Sequence, residues 1–187
     1  MAQAREAGSA LAALLLHRTA EELILGEFAS VAARADRGYA AFDDLFDLAA
    51  RLGVAAYATD ADGYLARYNN AAEALWGWSP PVGRQRWGGA WRLEHLDGRP
   101  RPMDASPMAI ALRERRQVRE DVVLGWRPDD QRLSVRPLAM PIRARRVGML
   151  GGVNLLLDVR ERLALQQGHG TESMRHLLGF DRGGSAK

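Results

Sequence analysis

The sequence predicts an α+β domain: a five-stranded antiparallel sheet with helices on one face, preceded by an N-terminal helical extension. Three observations carry this. Two short apolar runs containing Tyr57, Thr59, Tyr64 and Tyr68 flank an Asp-Ala-Asp-Gly turn, the signature of a β-hairpin. Three strand-like segments at 121–126, 132–142 and 147–158 follow one another with only turns between them. The segments before and between these strands carry helical spacing or helix caps.

Residues 1–53 read as helical. Leu11, Leu14 and Leu15 recur at helical spacing, and Thr19 with Glu22 forms a capping box that starts a second helix at Ala20. On it Ile24, Phe28, Val31 and Ala32 make an apolar stripe, and Ile24, Phe28 and Val31 are the candidate dimerisation residues. Asp36-Arg37-Gly38 breaks the pattern. A third helix then places Phe42, Leu45, Phe46, Ala49 and Leu52 on one side, and Gly53 stops it. Asp43, Asp44 and Asp47 would face phosphates if this helix read DNA, so a helix-turn-helix is rejected.

After the hairpin, Asn69 or Asn70 caps a helix over 71–76 and Gly77 ends it in a left-handed conformation. Residues 80–104 are rich in Gly, Pro, Trp and Arg and show no period. Ser106 followed by Pro107 begins the next helix, with Met108, Ala111 and Leu112 on its inner face. Along 132–142, Leu133 and Val135 alternate with Arg and Ser as in a half-buried strand. The apolar parity then shifts to Leu138, Met140 and Ile142, which predicts a bulge or an edge location around Pro137. Residues 147–158 are apolar on both parities, as a central strand is. A polar helix starts at Val159 and runs to about Gln167. The division is thus a helical extension for dimerisation or docking over 1–53, a core domain over 54–158, and a C-terminal helix and flexible tail over 159–187.

Composition excludes several classes. No apolar run is long enough to span a membrane, and the amino terminus lacks a secretory pattern, so the expected location is cytoplasmic. Cysteine is absent, which excludes disulfides, thiolate metal sites and cysteine nucleophiles. His17, His95, His169 and His176 lack the close spacing of a metal site. The formal charge is +3 and Lys187 is the single lysine. The arginine clusters at 113–119 and at Arg143, Arg145 and Arg146 read as solvated faces, so no nucleic-acid partner is expected. Asp60, Asp62 and Asp97 form no carboxylate pair and no nucleophile–base signature is present; catalysis is not expected.

Trp76, Trp78, Trp87, Trp91 and Trp126 are many tryptophans for so small a domain. They either enclose a planar or apolar ligand or plug the core. Asn154 is an amide in an apolar strand; it either ties down a loop or contacts a bound molecule. The candidate ligand-binding set is Tyr57, Trp76, Trp87, Trp91, Met108, Leu112, Trp126 and Asn154. No cofactor is identified, and haem is disfavoured because the relevant helix holds Met108 and no histidine.

The order and spacing of several short motifs resemble the PAS sensor domains of bacterial sensor histidine kinases over residues 54–162. They are Thr59-Asp60-x-Asp62-Gly63, Tyr68-Asn69-x-Ala71-Ala72, Leu75-Trp76-Gly77 and Trp87-x-x-x-Trp91-Arg92-Leu93. Asp97-Gly98-x-Pro100, Pro107-Met108-Ala109, Arg127-Pro128-Asp129, Gly152-Val153-Asn154 and Asp158-Val159-Arg160-Glu161-Arg162 continue the series. The resemblance implies a signal-sensing domain with a pocket between the sheet and the helices crossing it. It further implies a homodimer, a small-molecule ligand, and a sensor kinase or response regulator of a two-component system as partners. Asp158 and Arg160 are then the relay residues, although Arg160 stands where relatives carry threonine. Asp129-Asp130 replaces the Asp-Gly common at that turn. No glycine-rich nucleotide box follows Asp158, so a kinase region is not expected here. The alternative is a ligand-free module for protein–protein interaction or dimerisation.

Overall fold

The structure is a computed structural model that describes residues 39–144 and 147–159, with Glu22 and Gly26 as isolated positions. The stripe of Ile24, Phe28 and Val31, together with Arg160, lies outside the described residues. The chain divides into two units, and the unit of 23–159 contains the sheet and its helices.

Helix α1 (Tyr39–Arg51) leads into the hairpin of β1 (Ala55–Asp60) and β2 (Leu65–Tyr68). Asp60 Oδ1 accepts from the backbone N–H groups of Asp62 and Tyr64, and Gly63 takes φ 86°, so the turn closes on its own carboxylate. Helix α2 (Asn70–Trp76) follows, capped by Asn69. The Asn69 side chain does more than cap. Its Oδ1 accepts from Ala72 N at 2.9 Å and from Ala56 N at 3.0 Å, while Nδ2 donates to Val54 O at 2.8 Å. One amide therefore fixes the start of α2 against β1. Gly77, at φ 73°, ends the helix in the left-handed conformation.

Strands β3 (Arg92–Glu94) and β4 (Pro100–Arg101) precede helix α3 (Pro107–Glu114), which Ser106 caps through Ala109 N with proline at its first position. Then come β5 (Val118–Arg119), β6 (Val123–Trp126), β7 (Arg132–Ala144) and β8 (Gly148–Asp158). The antiparallel order is β2-β1-β8-β7-β6-β3-β4, with β5 also paired to β7. The sheet has eight strands where five are expected: β2, β1, β8, β7 and β6 are the expected five, β3 and β4 extend it beyond β6, and β5 pairs with β7. At the turn between β6 and β7, Asp130 adopts φ 58°, filling without glycine the left-handed position that turn requires.

Helices α2 and α3 pack on one face of the sheet, the inner one, as expected. Helix α1, from the N-terminal extension, covers the opposite face. Leu45, Phe46 and Ala49 are buried there against Ala56, Ala58, Leu138, Met140, Val153 and Leu155. The Arg67 guanidinium of β2 lies 4.1 Å from the Phe46 ring centroid and bonds Asp43 at 2.8 Å, tying α1 to the sheet's edge.

This second layer corrects the reading of β7. The strand is buried from Leu133 to Met140 rather than half-buried, and it keeps one alternation throughout. Leu133 and Val135 face the inner cluster, whereas Leu138, Met140 and Ile142 face α1. The apparent change of parity is a change in which face is covered. Pro137 pairs with Leu156 without a register break; the irregularity falls between Ile142 and Arg143. Val159 N donates to Ser134 O, so alternate residues Val135, Pro137 and Ala139 turn their backbone groups away from β8. On that side β6 pairs as far as Val135 and β5 begins opposite Leu138 and Ala139. Pro137 sits in the gap, where its missing N–H is not needed.

Candidate ligand cavity

The inner face of the sheet, α2 and the irregular segment before β3 line a cavity of about 50 Å³. That is small beside the roughly 300–1,000 Å³ of sites that hold drug-sized ligands. Tyr57 and Asn154, directly paired across β1 and β8, form one wall with Leu156. Trp76 comes from α2, and its ring lies 5.5 Å from that of Tyr57. Val135 and Pro137 of β7, then Ser106 and Pro107 at the start of α3, close other sides. The segment Trp87, Gly88, Gly89 and Ala90 completes the enclosure.

Glycine at 89 is a packing requirement. A Cβ there would stand 2.2 Å from the Trp76 ring, well inside contact distance. Trp87 holds φ 69°, an uncommon conformation for a bulky residue that costs about 1–3 kcal/mol. Its surroundings over-determine it. Trp87 N donates to Gly63 O at 2.9 Å, its carbonyl accepts from the Tyr57 hydroxyl at 2.7 Å, and the Arg86 guanidinium lies 4.5 Å from its ring. Trp78 Nε1 adds a bond to Gly89 O at 2.7 Å.

The polar chemistry of the cavity centres on one chain of hydrogen bonds. Asn154 Nδ2 donates to the Tyr57 hydroxyl oxygen at 3.0 Å, and that hydroxyl donates to Trp87 O. Burial pushes the Tyr57 phenol well above its usual range, against which the Asn154 bond acts only weakly. The phenol is therefore a neutral donor throughout the physiological range. Asn154 is 2% exposed, and its Oδ1 has no hydrogen-bond partner among the described residues. Among the described residues no charged side chain lines the cavity.

Of the expected ligand-binding residues, Tyr57, Trp76, Trp87 and Asn154 converge on this space. The other four stand elsewhere. Met108 and Leu112 are buried in the inner cluster, with Met108 Sδ close above Gly152. Trp91 is 60% exposed and packs edge-on against Trp78 at 5.8 Å. Trp126 turns its indole N–H to Glu94 Oε2 at 2.8 Å, and Arg92 lies over its ring. Met103, Ser106, Pro137 and the Gly88-Gly89 pair also line the cavity and are not among the expected ligand-binding residues. The Gly-Gly dipeptide beside a tryptophan was the one available signal of a close backbone approach. Asp158 ends β8 and is exposed.

No described group of His, Cys, Asp or Glu is arranged to hold a metal ion, and no described helix is long and apolar enough to cross a membrane. No family model matches the sequence, and no curated protein matches it. Solved structures do resemble it. A light-oxygen-voltage domain studied with a flavin analogue is 13% identical, with a TM-score of 0.50 over 69% of this chain and 96% of the other. The PAS domain of a protein from Colwellia psychrerythraea is 19% identical over 64% of this chain and 95% of its own, TM-score 0.47. An RNA-binding light-oxygen-voltage receptor is 22% identical over 65% of this chain and 34% of its own, TM-score 0.49. All three are under 25% identical and bear on the fold alone, so they lend no support to the expected absence of a nucleic-acid partner.

Proposed function

We propose that this chain, a PAS-domain protein by its fold, senses a small ligand in the cavity and relays its occupancy through the helices flanking the sheet. The observation that supports the reading is the buried Oδ1 of Asn154, without a hydrogen-bond partner among the described residues, on a residue that lines the same apolar cavity as the strained Trp87. Buried polar atoms are ordinarily satisfied, and the exceptions call for a missing partner. An occupant would bear on Trp76 and Trp87, hence on α2 and the segment 77–91. On the other side of the sheet α1 packs on the same strands, so a small shift of β1 or β8 reaches it. Asp158 lies at the end of β8 and, with Arg160 two positions on in the sequence, is the proposed second route outward. The output is a homodimer, with Ile24, Phe28 and Val31 at the contact, or a complex with a separate kinase or regulator. Catalysis is not part of this reading, and the cytoplasm is the proposed location.

Native mass spectrometry of freshly purified protein, set against its denatured mass, tests it. Extra mass that disappears on denaturation supports the sensor. A bare protein mass moves the reading to a ligand-free interaction module, which the exposed Trp91 and the small cavity favour.

A further inference from the structure

The Trp87 carbonyl can only accept, so the single proton of the Tyr57 hydroxyl is committed to it across 2.7 Å. The Tyr57 oxygen must then accept from Asn154, and only the amide nitrogen of Asn154 has protons to give. Turning the amide over would set two acceptors 3.0 Å apart with no proton between them. The orientation of Asn154 is thereby fixed by a main-chain carbonyl in the segment before β3. Its oxygen is left as a buried acceptor with no partner. The described lining contributes no charged side chain to neutralise an ion, and an ion there would be desolvated.

We infer that the cavity selects a small uncharged molecule carrying an N–H or O–H donor, which it directs to Asn154 Oδ1. This rests on the ligand-sensing reading above and names the chemical class that reading leaves open. Tyr57 acts as a positioning residue. It holds the amide so that its acceptor, not its donor, meets the ligand. Trp76 and Trp87 supply apolar walls, and the limited volume favours a ligand no larger than a single ring. Molecules of the same shape without a donor leave Oδ1 unsatisfied, and anions meet an acceptor and apolar walls.

The test uses the full chain, labelled with 15N, titrated with phenol, toluene and benzoate. The first two are close in shape and differ in the donor. Amides lining the cavity report binding. Phenol is expected to bind about tenfold or more tightly than toluene, despite toluene being the more apolar, because one buried hydrogen bond is gained. Benzoate is expected to leave the cavity amides unmoved. Asn154→Leu is expected to keep toluene binding and abolish the advantage of phenol. Tyr57→Phe provides a second route should that variant fail to fold. It frees the amide to turn, so the phenol-to-toluene ratio is expected to fall several-fold. Toluene binding as well as or better than phenol overturns the donor assignment while leaving the cavity a ligand site. Benzoate binding overturns the selection for uncharged molecules. If no probe moves a cavity amide, the ligand-sensing reading falls and takes this inference with it.

Discussion

Replacing Tyr57 with phenylalanine removes one oxygen from the centre of the inner core and breaks two bonds at once. Trp87 O loses its donor at 2.7 Å and Asn154 Nδ2 loses its acceptor at 3.0 Å. The ring packing on Trp76 survives, so the change isolates the polar part. A buried group left without its partner costs about 1–3 kcal/mol, and the relaxed loop recovers part of that, giving about 2–3 kcal/mol at neutral pH. For a domain of this size that is a fall in Tm of about 6–15 °C. The difference is pH-dependent with a definite sign. Because burial raises the phenol's pKa in the folded state, the unfolded chain ionises first as pH climbs past about 10. The folded wild type is fully favoured below that pH and loses up to about 1.4 kcal/mol per unit above it. Tyr57→Phe lacks this loss. Urea unfolding between pH 7 and 11.5 should therefore show the gap between the two proteins narrowing only above about pH 10. A destabilisation below about 0.5 kcal/mol at pH 7, or a gap that stays constant to pH 11.5, would refute the hydrogen-bond chain.

The packing makes three further outcomes testable. Gly89→Ala sets a methyl against the Trp76 ring, so it should destabilise by about 1–3 kcal/mol and shift tryptophan emission; a neutral result would mean the segment before β3 moves freely. Leu45→Ala opens the contact between α1 and the outer face of the sheet, where Leu45 is fully buried, and should cost about 2–5 kcal/mol in urea unfolding. A loss under about 1 kcal/mol would mean that α1 is not part of the domain's core. Asn69→Ala strands the Ala56 N–H and takes the donor from the Val54 carbonyl, while Ala72 N keeps its bond to Asn69 O; Asn69→Asp keeps an acceptor for Ala56 N and loses only the donor to Val54 O, so alanine should cost about 1 kcal/mol more than aspartate in urea unfolding.

Local chemistry was legible in the sequence wherever a single residue type decides it. Asp62-Gly63, Asn69, Gly77 and the Ser106-Pro107 pair each stand where a turn or cap demands them. The sheet followed from the runs these residues bound. Tyr57, Trp76, Trp87 and Asn154 meet at one cavity because strand parity puts the first and last on the inner face. What escaped was whatever depends on a covering layer. The apolar residues beyond Pro137 suggested a bulge because nothing in the strand itself announces that α1 covers its other face. Trp91 and Trp126 are indistinguishable in composition from Trp76, yet the place of Trp91 is set by the irregular path from Gly77, which has no period to read, and that of Trp126 by the pairing of β6 with the short β3. Strands of two or three residues such as β3, β4 and β5 exist only through their partners, so no local propensity marks them.

The gap at Pro137 bears on kinetics. Residues on either side of it are held by different neighbours, β6 up to Val135 and β5 from Leu138, and Pro137 itself lines the cavity. Parting the two short strands there ruptures no ladder bond, so a molecule that passed between solvent and interior through this seam would be limited by side-chain rearrangement and not by opening of the sheet. Traffic by that route would leave the amide exchange of β7 and β8 at its resting rate while ligand comes and goes. Accelerated exchange along those two strands during release would place the exit elsewhere.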